Sequence, residues 1–194
     1  MSGWGRIRAF ILACAATSLV TGCAAPPLTL YSLGAPSTAP DAAPLRAKPI
    51  VIEIARVTVP DELDVEDIVV RDGSILRRSQ RGRWASRLSL GITDRLTERL
   101  AERRPDALVT DRPQVEAPTY RVLINISRLD VTTAGVVTLE ANWLIVPHDP
   151  AVATRRDRAR FSATGPVATD QDVVTLVETV LDRLADAIAI PGRR

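Results

Sequence analysis

In the run from Ile50 to Val59, closed by Pro60, apolar side chains recur at every second position at Ile50, Ile52 and Ile54, which share one face. A period of two carried by β-branched residues predicts a strand that buries one face. Ile68-Val69-Val70-Arg71 and Ile75-Leu76-Arg77 flank Asp72-Gly73-Ser74, which predicts a hairpin whose Asp-Gly pair tolerates the positive φ of a tight turn. The period then lengthens. Trp84, Leu88, Ile92, Leu96 and Leu100 fall four apart, with Arg87, Asp94, Arg95, Glu98, Arg99 and Glu102 between them. This spacing predicts an amphipathic helix of about 20 residues opening at Trp84, and Pro105 stops it.

Alternation returns at Tyr120, Val122, Ile124 and Ile126, and again at Val137, Leu139, Ala141, Trp143 and Ile145. The connector around Ala134-Gly135 makes these two runs an antiparallel pair. A short strand is expected around Ala159, Phe161 and Ala163. A last helix carries Val173, Val177, Val180, Leu184 and Ile188 on one stripe, capped by Thr169 or Asp170 and ended by Pro191-Gly192. No internal repeat is visible. Strands with one apolar face and two amphipathic helices imply a two-layer α+β domain over residues 50–190, with both helices laid on one face of a largely antiparallel sheet.

The first 49 residues follow a different logic. Arg6 and Arg8 precede an apolar run from Phe10 to Val20, a secretory signal pattern too short to span a bilayer. The run ends in Leu19-Val20-Thr21-Gly22-Cys23, which resembles a bacterial lipobox, so residues 1–22 are expected to be removed and Cys23 acylated. Cys14, the other cysteine, lies inside the removed segment and leaves Cys23 no disulfide partner. Several acyl chains on one cysteine, at ~0.8 kcal/mol per buried methylene, give stable attachment. Ala24 follows the cysteine where an Asp would mark inner-membrane retention, so the expected site is the outer membrane. Residues 23–49 hold Pro26, Pro27, Pro36, Pro40, Pro44 and Pro49 among alanines, the composition of a spacer. At ~3.3 Å per residue, residues 24–49 would reach on the order of 85 Å. A short strand at 28–33 would shorten that reach.

Composition removes several function classes. With 25 Lys plus Arg against 23 Asp plus Glu, and 23 against 23 once Arg6 and Arg8 leave with the signal, the chain lacks the basic excess of a phosphate-seeking nucleic-acid binder. Its 46% hydrophobic content is that of a folded domain. Lys48 is the sole lysine, a skew that a GC-rich genome explains.

Candidate chemistry is sparse. His148, the sole histidine, sits in the turn-like Pro147-His148-Asp149-Pro150. There is no Gly-x-Ser-x-Gly elbow, no Gly-rich phosphate loop, and no thiol nucleophile beside an acylated Cys23. One His and no free Cys do not make the ligand sets typical of zinc, so no catalytic residue, metal or cofactor is expected. Asp61, Glu62, Asp64, Glu66 and Asp67 cluster, yet Leu63 and Val65 occupy alternate positions and Glu66 the sixth, which is not a calcium loop. Beyond them come Arg71, Arg77, Arg78, Arg81, Arg83 and Arg87 against a single Asp72. Two readings fit: a solvated hairpin whose basic strand end faces the acidic loop, or a docking surface whose arginine forks meet lipid phosphates or an acidic partner. Trp84, beside these arginines, is either core or an interface anchor; Trp143 is core.

The order of segments resembles the PqiC/YmbA family of ABC-transport auxiliary lipoproteins. The likeness lies in Val59-Pro60, Leu63-Asp64, Ile68-Val69, Arg71 and Arg83-Trp84-Ala85 opening a helix with Leu88 and Ile92. It continues in Tyr120-Arg121-Val122, Leu129-Asp130, Val137-Thr138-Leu139, Ala141-Asn142-Trp143-Leu144 and the terminal helix after Phe161. It spans about residues 28 to 188. Val65-Glu66 and Ser86-Arg87 depart from the Arg-Pro and Glu-Pro frequent in the family at those places. The resemblance implies a non-catalytic outer-membrane lipoprotein that docks a periplasmic MCE-domain protein, whose inner-membrane ABC permease and ATPase drive lipid across the envelope. It also implies a capacity to form homo-oligomeric rings. A different class of reading is a stand-alone lipid-binding or envelope-stress lipoprotein, which would need a sizeable apolar pocket.

Overall fold

The structure, a computed structural model, describes residues 27–33 and 49–191. The signal segment 1–22, Cys23 and most of the Pro/Ala-rich stretch lie outside the described residues. The elements in chain order are β1 (Thr29–Tyr31), β2 (Ile50–Ile54), β3 (Asp67–Asp72), β4 (Ile75–Trp84), α1 (Leu88–Arg103), β5 (Ala107–Thr110), β6 (Tyr120–Val131), β7 (Val136–Pro147), β8 (Arg155–Thr164) and α2 (Asp170–Ala187).

The fold is α+β, and its strands divide between two sheets: five strands in the order β5-β2-β6-β7-β8 and three in the order β1-β4-β3. Both are mixed. β2 runs parallel to β5 and β6, and β1 parallel to β4, while the long ladders β6–β7, β7–β8 and β3–β4 are antiparallel. Period-two alternation sorts β6 and β7 by face. Val122, Ile124 and Ile126 meet Leu139, Ala141, Trp143 and Ile145 in the core, while Arg121, Asn125 and Asn142 look outward. Ile92, Leu96 and Leu100 of α1 and Val177, Val180, Leu181 and Leu184 of α2 complete one continuous cluster with that inner face. Each fully buried Leu or Ile in it contributes about 1.5–3 kcal/mol relative to exposure.

The helix ends are held by different means. Thr169 and Asp172 form a capping box at α2, with Thr169 Oγ1 accepting from the Asp172 amide at 3.2 Å and the Asp172 carboxylate accepting from the Thr169 amide at 2.9 Å. Helix α1 has Arg87 at its N-cap position without a side-chain cap. A distant carboxylate takes that role: Asp64 Oδ1 accepts from the Ser89 amide at 3.0 Å, placing a negative charge at the positive end of the helix. The helix begins four residues later than the leucine spacing predicts. Trp84 has the right phase for it, but it ends β4, and Ala85-Ser86 turn the chain before Leu88. Strand β5 carried no sequence signal of its own beyond four residues after Pro105, and its parallel pairing with β2 supplies the order that local alternation does not.

Strand β1 ties the segment after the spacer's start into the domain. Thr29, Leu30 and Tyr31 pair with Gly82, Arg83 and Trp84, the Ala85 amide donates to the Tyr31 carbonyl at 2.8 Å, and Leu33 is buried against α1 at Gly91.

Candidate docking surfaces

The β3–β4 hairpin turns at Gly73, whose φ of +60° a side chain would resist. Its strands carry most of the clustered arginines, and the structure gives nearly all of them acidic partners. Arg71 Nε donates to Asp130 Oδ1 at 2.7 Å, linking the smaller sheet to β6, and Arg128 Nε meets the other oxygen of Asp130 at 3.0 Å. Arg77 bonds Asp72 at 2.6 Å across the turn. Arg78 and Arg83 both reach Asp67, each at 2.9 Å, and Arg83 also donates to the carbonyls of Ser79 and Gly82. The side chain of Arg81 is exposed and makes no ion pair among the described residues. Trp84 is buried, 5% exposed, within the common core.

The acidic loop separates into two kinds of carboxylate. Asp64 and Asp67 are structural, the first capping α1 and bonding Arg56 at 3.5 Å, the second gripping the two arginines of β4. Burial pushes the Asp64 carboxyl up, but hydrogen bonds from Ser89 and the charges of Arg56 and Arg87 outweigh it and hold the group below the usual aspartate value. Asp61, Glu62 and Glu66 are exposed and without ion pairs among the described residues. They form the free acidic part of the loop.

A second basic feature lies on the outer face of the five-stranded sheet. In β8 the sequence Arg155-Arg156-Asp157-Arg158-Ala159-Arg160 puts Arg156, Arg158 and Arg160 on one face, opposite Leu144, Asn142 and Glu140 of β7. Arg160 lies 3.6 Å from Glu140, while Arg156 and Arg158 are exposed with no ion pair among the described residues. Shallow open grooves of about 510 and 560 Å³ cross this face. Arginine at alternate positions of a strand is legible in the sequence, and it escapes notice beside the denser run at 71–87.

The apolar cavity where the smaller sheet meets α2, bounded by Leu63, Trp84, Leu129 and Val177, holds about 30 Å³, the share of a single water molecule. His148 is exposed in its loop, its amide bonded to the Thr119 carbonyl at 2.9 Å. Among the described residues no group of His, Cys, Asp and Glu is placed to hold a metal, and no helix is long and apolar enough to cross a membrane.

Residues 31–189 match the family described as ABC-type transport auxiliary lipoprotein component, and the chain belongs to that family. No curated protein matches the chain in sequence. The fold is shared with a crystallised uncharacterised protein, 15% identical with a TM-score of 0.66 over 84% of this chain and 97% of that one. It is also shared with a Xanthomonas campestris protein from a domain family of unknown function, 18% identical with a TM-score of 0.56 over 81% and 90%. A more distant similarity, 10% identical with a TM-score of 0.42 over 73% and 92%, is to a dodecameric PelC variant from Paraburkholderia phytofirmans.

Proposed function

We propose that the mature chain is an outer-membrane lipoprotein, anchored through acylated Cys23, that serves an ABC-type intermembrane lipid transporter by docking its periplasmic MCE-domain protein. Its contribution is binding and placement, without covalent chemistry. The observation that carries the reading is the family match over residues 31–189, on a domain whose apolar cavity between the smaller sheet and α2 holds about 30 Å³. A chaperone that carried a lipid inside this domain would need far more space, so cargo passes outside it, along the partner. The surfaces available for docking are those whose charges are not spent internally: Asp61, Glu62 and Glu66 on one loop, Arg81 on β4, and Arg156 and Arg158 on the open sheet face. Ion pairs exposed at the rim of such a contact set orientation and association rate more than affinity. Self-association into a ring would multiply these weak contacts around one MCE assembly.

The test is density-gradient separation of the two membranes from cells that express the tagged chain, with the mass of its N-terminal peptide measured. The reading predicts an acylated Cys23 peptide in the outer-membrane fraction. An unmodified Cys23, or an acylated chain held in the inner membrane, contradicts it.

A further inference from the structure

We infer that the tip of the β3–β4 hairpin is a membrane-contact edge, resting on the anionic lipid surface beside the acyl anchor. This inference rests on the proposed acylation of Cys23 and extends it to the orientation of the domain. Thr29, the first residue of β1, is six positions after Cys23, so an anchored cysteine holds that strand within about 20 Å of the bilayer. Strand β1 is parallel to β4, with Thr29 level with Gly82. The end of β1 that leads back to the anchor therefore points the same way as the start of β4, which is the hairpin tip. Ile75 lies seven residues from Gly82 along β4, about 23 Å at strand spacing, much the same length as the anchoring segment. The sequence Pro26-Pro27 favours extended chain over reversal. A tether no longer than the hairpin leaves the hairpin tip within reach of the surface that would hold Cys23.

The chemistry of the tip fits that surface. Ile75 and Leu76, the first residues of β4 after the turn, are 57% and 38% exposed. Two and three residues behind Ile75 stand Arg77 and Arg78, 61% and 66% exposed and paired with Asp72 and Asp67 on the same hairpin. Apolar side chains ahead of arginines, with few acids between, place hydrocarbon in the headgroup region and guanidinium forks at the phosphates. A lone hairpin of this kind binds weakly. Held beside its membrane by the anchor, it works at the effective concentration of a short tether.

The acylated full chain is purified from membranes and reconstituted in phosphatidylethanolamine and phosphatidylglycerol vesicles. Cys23 is blocked by acylation, so Ile75→Cys carries the single thiol for an environment-sensitive label, and Val152→Cys serves as the control. Val152 lies in the β7–β8 turn, at the far end of the 12-residue β7, about 40 Å from the β6–β7 turn whose Thr133 bonds Arg71. The expected result is a blue-shifted label at residue 75, quenched by nitroxide lipids of the headgroup region, and an unaffected label at residue 152. In the unacylated Cys23→Ser chain, Arg78→Ser, three residues from Ile75 and with Asp67 still paired to Arg83, is expected to lower binding to the same vesicles by about fivefold, the equivalent of ~1 kcal/mol per surface arginine, with Arg78→Lys retaining it. If the chain is acylated and sediments with the vesicles while both labels stay unquenched, the hairpin contact is wrong and the anchor stands. If the chain is neither acylated nor bound, the anchor fails and the inference with it.

Discussion

Replacing Leu33 with alanine tests whether residues 27–33 are a strap docked onto the domain or an integral part of its core. Leu33 is 6% exposed, and its Cδ1 would lie 3.3 Å from a Cβ placed on Gly91, so the side chain fills the hollow that this glycine leaves in α1. The rest of the segment is held by a three-residue parallel ladder and the bond from the Ala85 amide to the Tyr31 carbonyl. Truncating a buried leucine costs about 2–5 kcal/mol, and the lower part of that range, about 2–3 kcal/mol, is expected for a side chain carried by so short a strand. A strap of so few contacts opens locally, below the free energy of global unfolding. At 1.4 kcal/mol per tenfold, Leu33→Ala should raise the open population about 30- to 150-fold. Hydrogen exchange reads this directly: the Ala85 amide should lose that factor of protection while the amides of the β6–β7 ladder keep theirs. Equal loss at both places would refute the reasoning, because it would mean that β1 leaves only when the domain unfolds. An opened strap would also lengthen the free chain after Cys23 from about 20 Å to on the order of 85 Å, and so release the domain from its membrane.

Other expectations follow from single contacts. Thr169→Ala removes one half of the capping box and should cost about 1 kcal/mol, measured as a lowered urea midpoint with unchanged slope. Gly82→Ala would set a methyl 2.4 Å from Asp170 Oδ2, which bonds Ser79; that carboxylate must swing away, and a loss of about 1–3 kcal/mol is expected in the same titration. Two aspartates respond to acid in opposite senses. Asp64 is held below its ordinary value, so its contribution is present above the unfolded aspartate pKa and is lost as pH falls through the lower folded one. Asp94 is exposed on α1, yet partial desolvation raises it, with Asp111 adding repulsion against the relief from Arg112, so its carboxylate mildly disfavours the fold above the raised pKa, and protonation removes that penalty. Asp94→Asn should accordingly raise stability at neutral pH, and Asp64→Asn should lower it, in parallel denaturation curves at neutral and acid pH.

Much of this architecture was legible because it is local. The alternation of β6 and β7 and the leucine stripes of both helices each follow from spacing within a dozen residues, and the α+β class follows from their sum. What the sequence concealed is set by pairings across long separations. The division into two sheets depends on β1 choosing β4 and β2 choosing β5 and β6, all in parallel, and parallel pairing leaves no turn between neighbours to announce it. Trp84 shows the ambiguity of phase, since its position extends the helical stripe by one turn while its backbone belongs to a strand. The arginines at 71–83 stand out by density, but density does not reveal their partners. Asp67 and Asp130 take up Arg71, Arg78 and Arg83, whereas the thinner pattern at Arg156 and Arg158 is left unpaired among the described residues. The acidic loop misleads in the same way, because a helix cap and a free charge look identical until Ser89 is seen beside Asp64.

The central claim concerns what this domain holds on to in the cell. The most direct measurement tags the MCE-domain protein of the transporter, applies mild cross-linking in the native bacterium, and identifies by mass spectrometry what is captured from wild-type cells and from cells carrying Cys23→Ser. The account predicts that this chain is captured, together with the permease and ATPase, from wild-type cells. It also predicts that Cys23→Ser abolishes its membrane retention and sharply lowers its capture. Recovery of the transporter without this chain from wild-type cells in which Cys23 is acylated would contradict it.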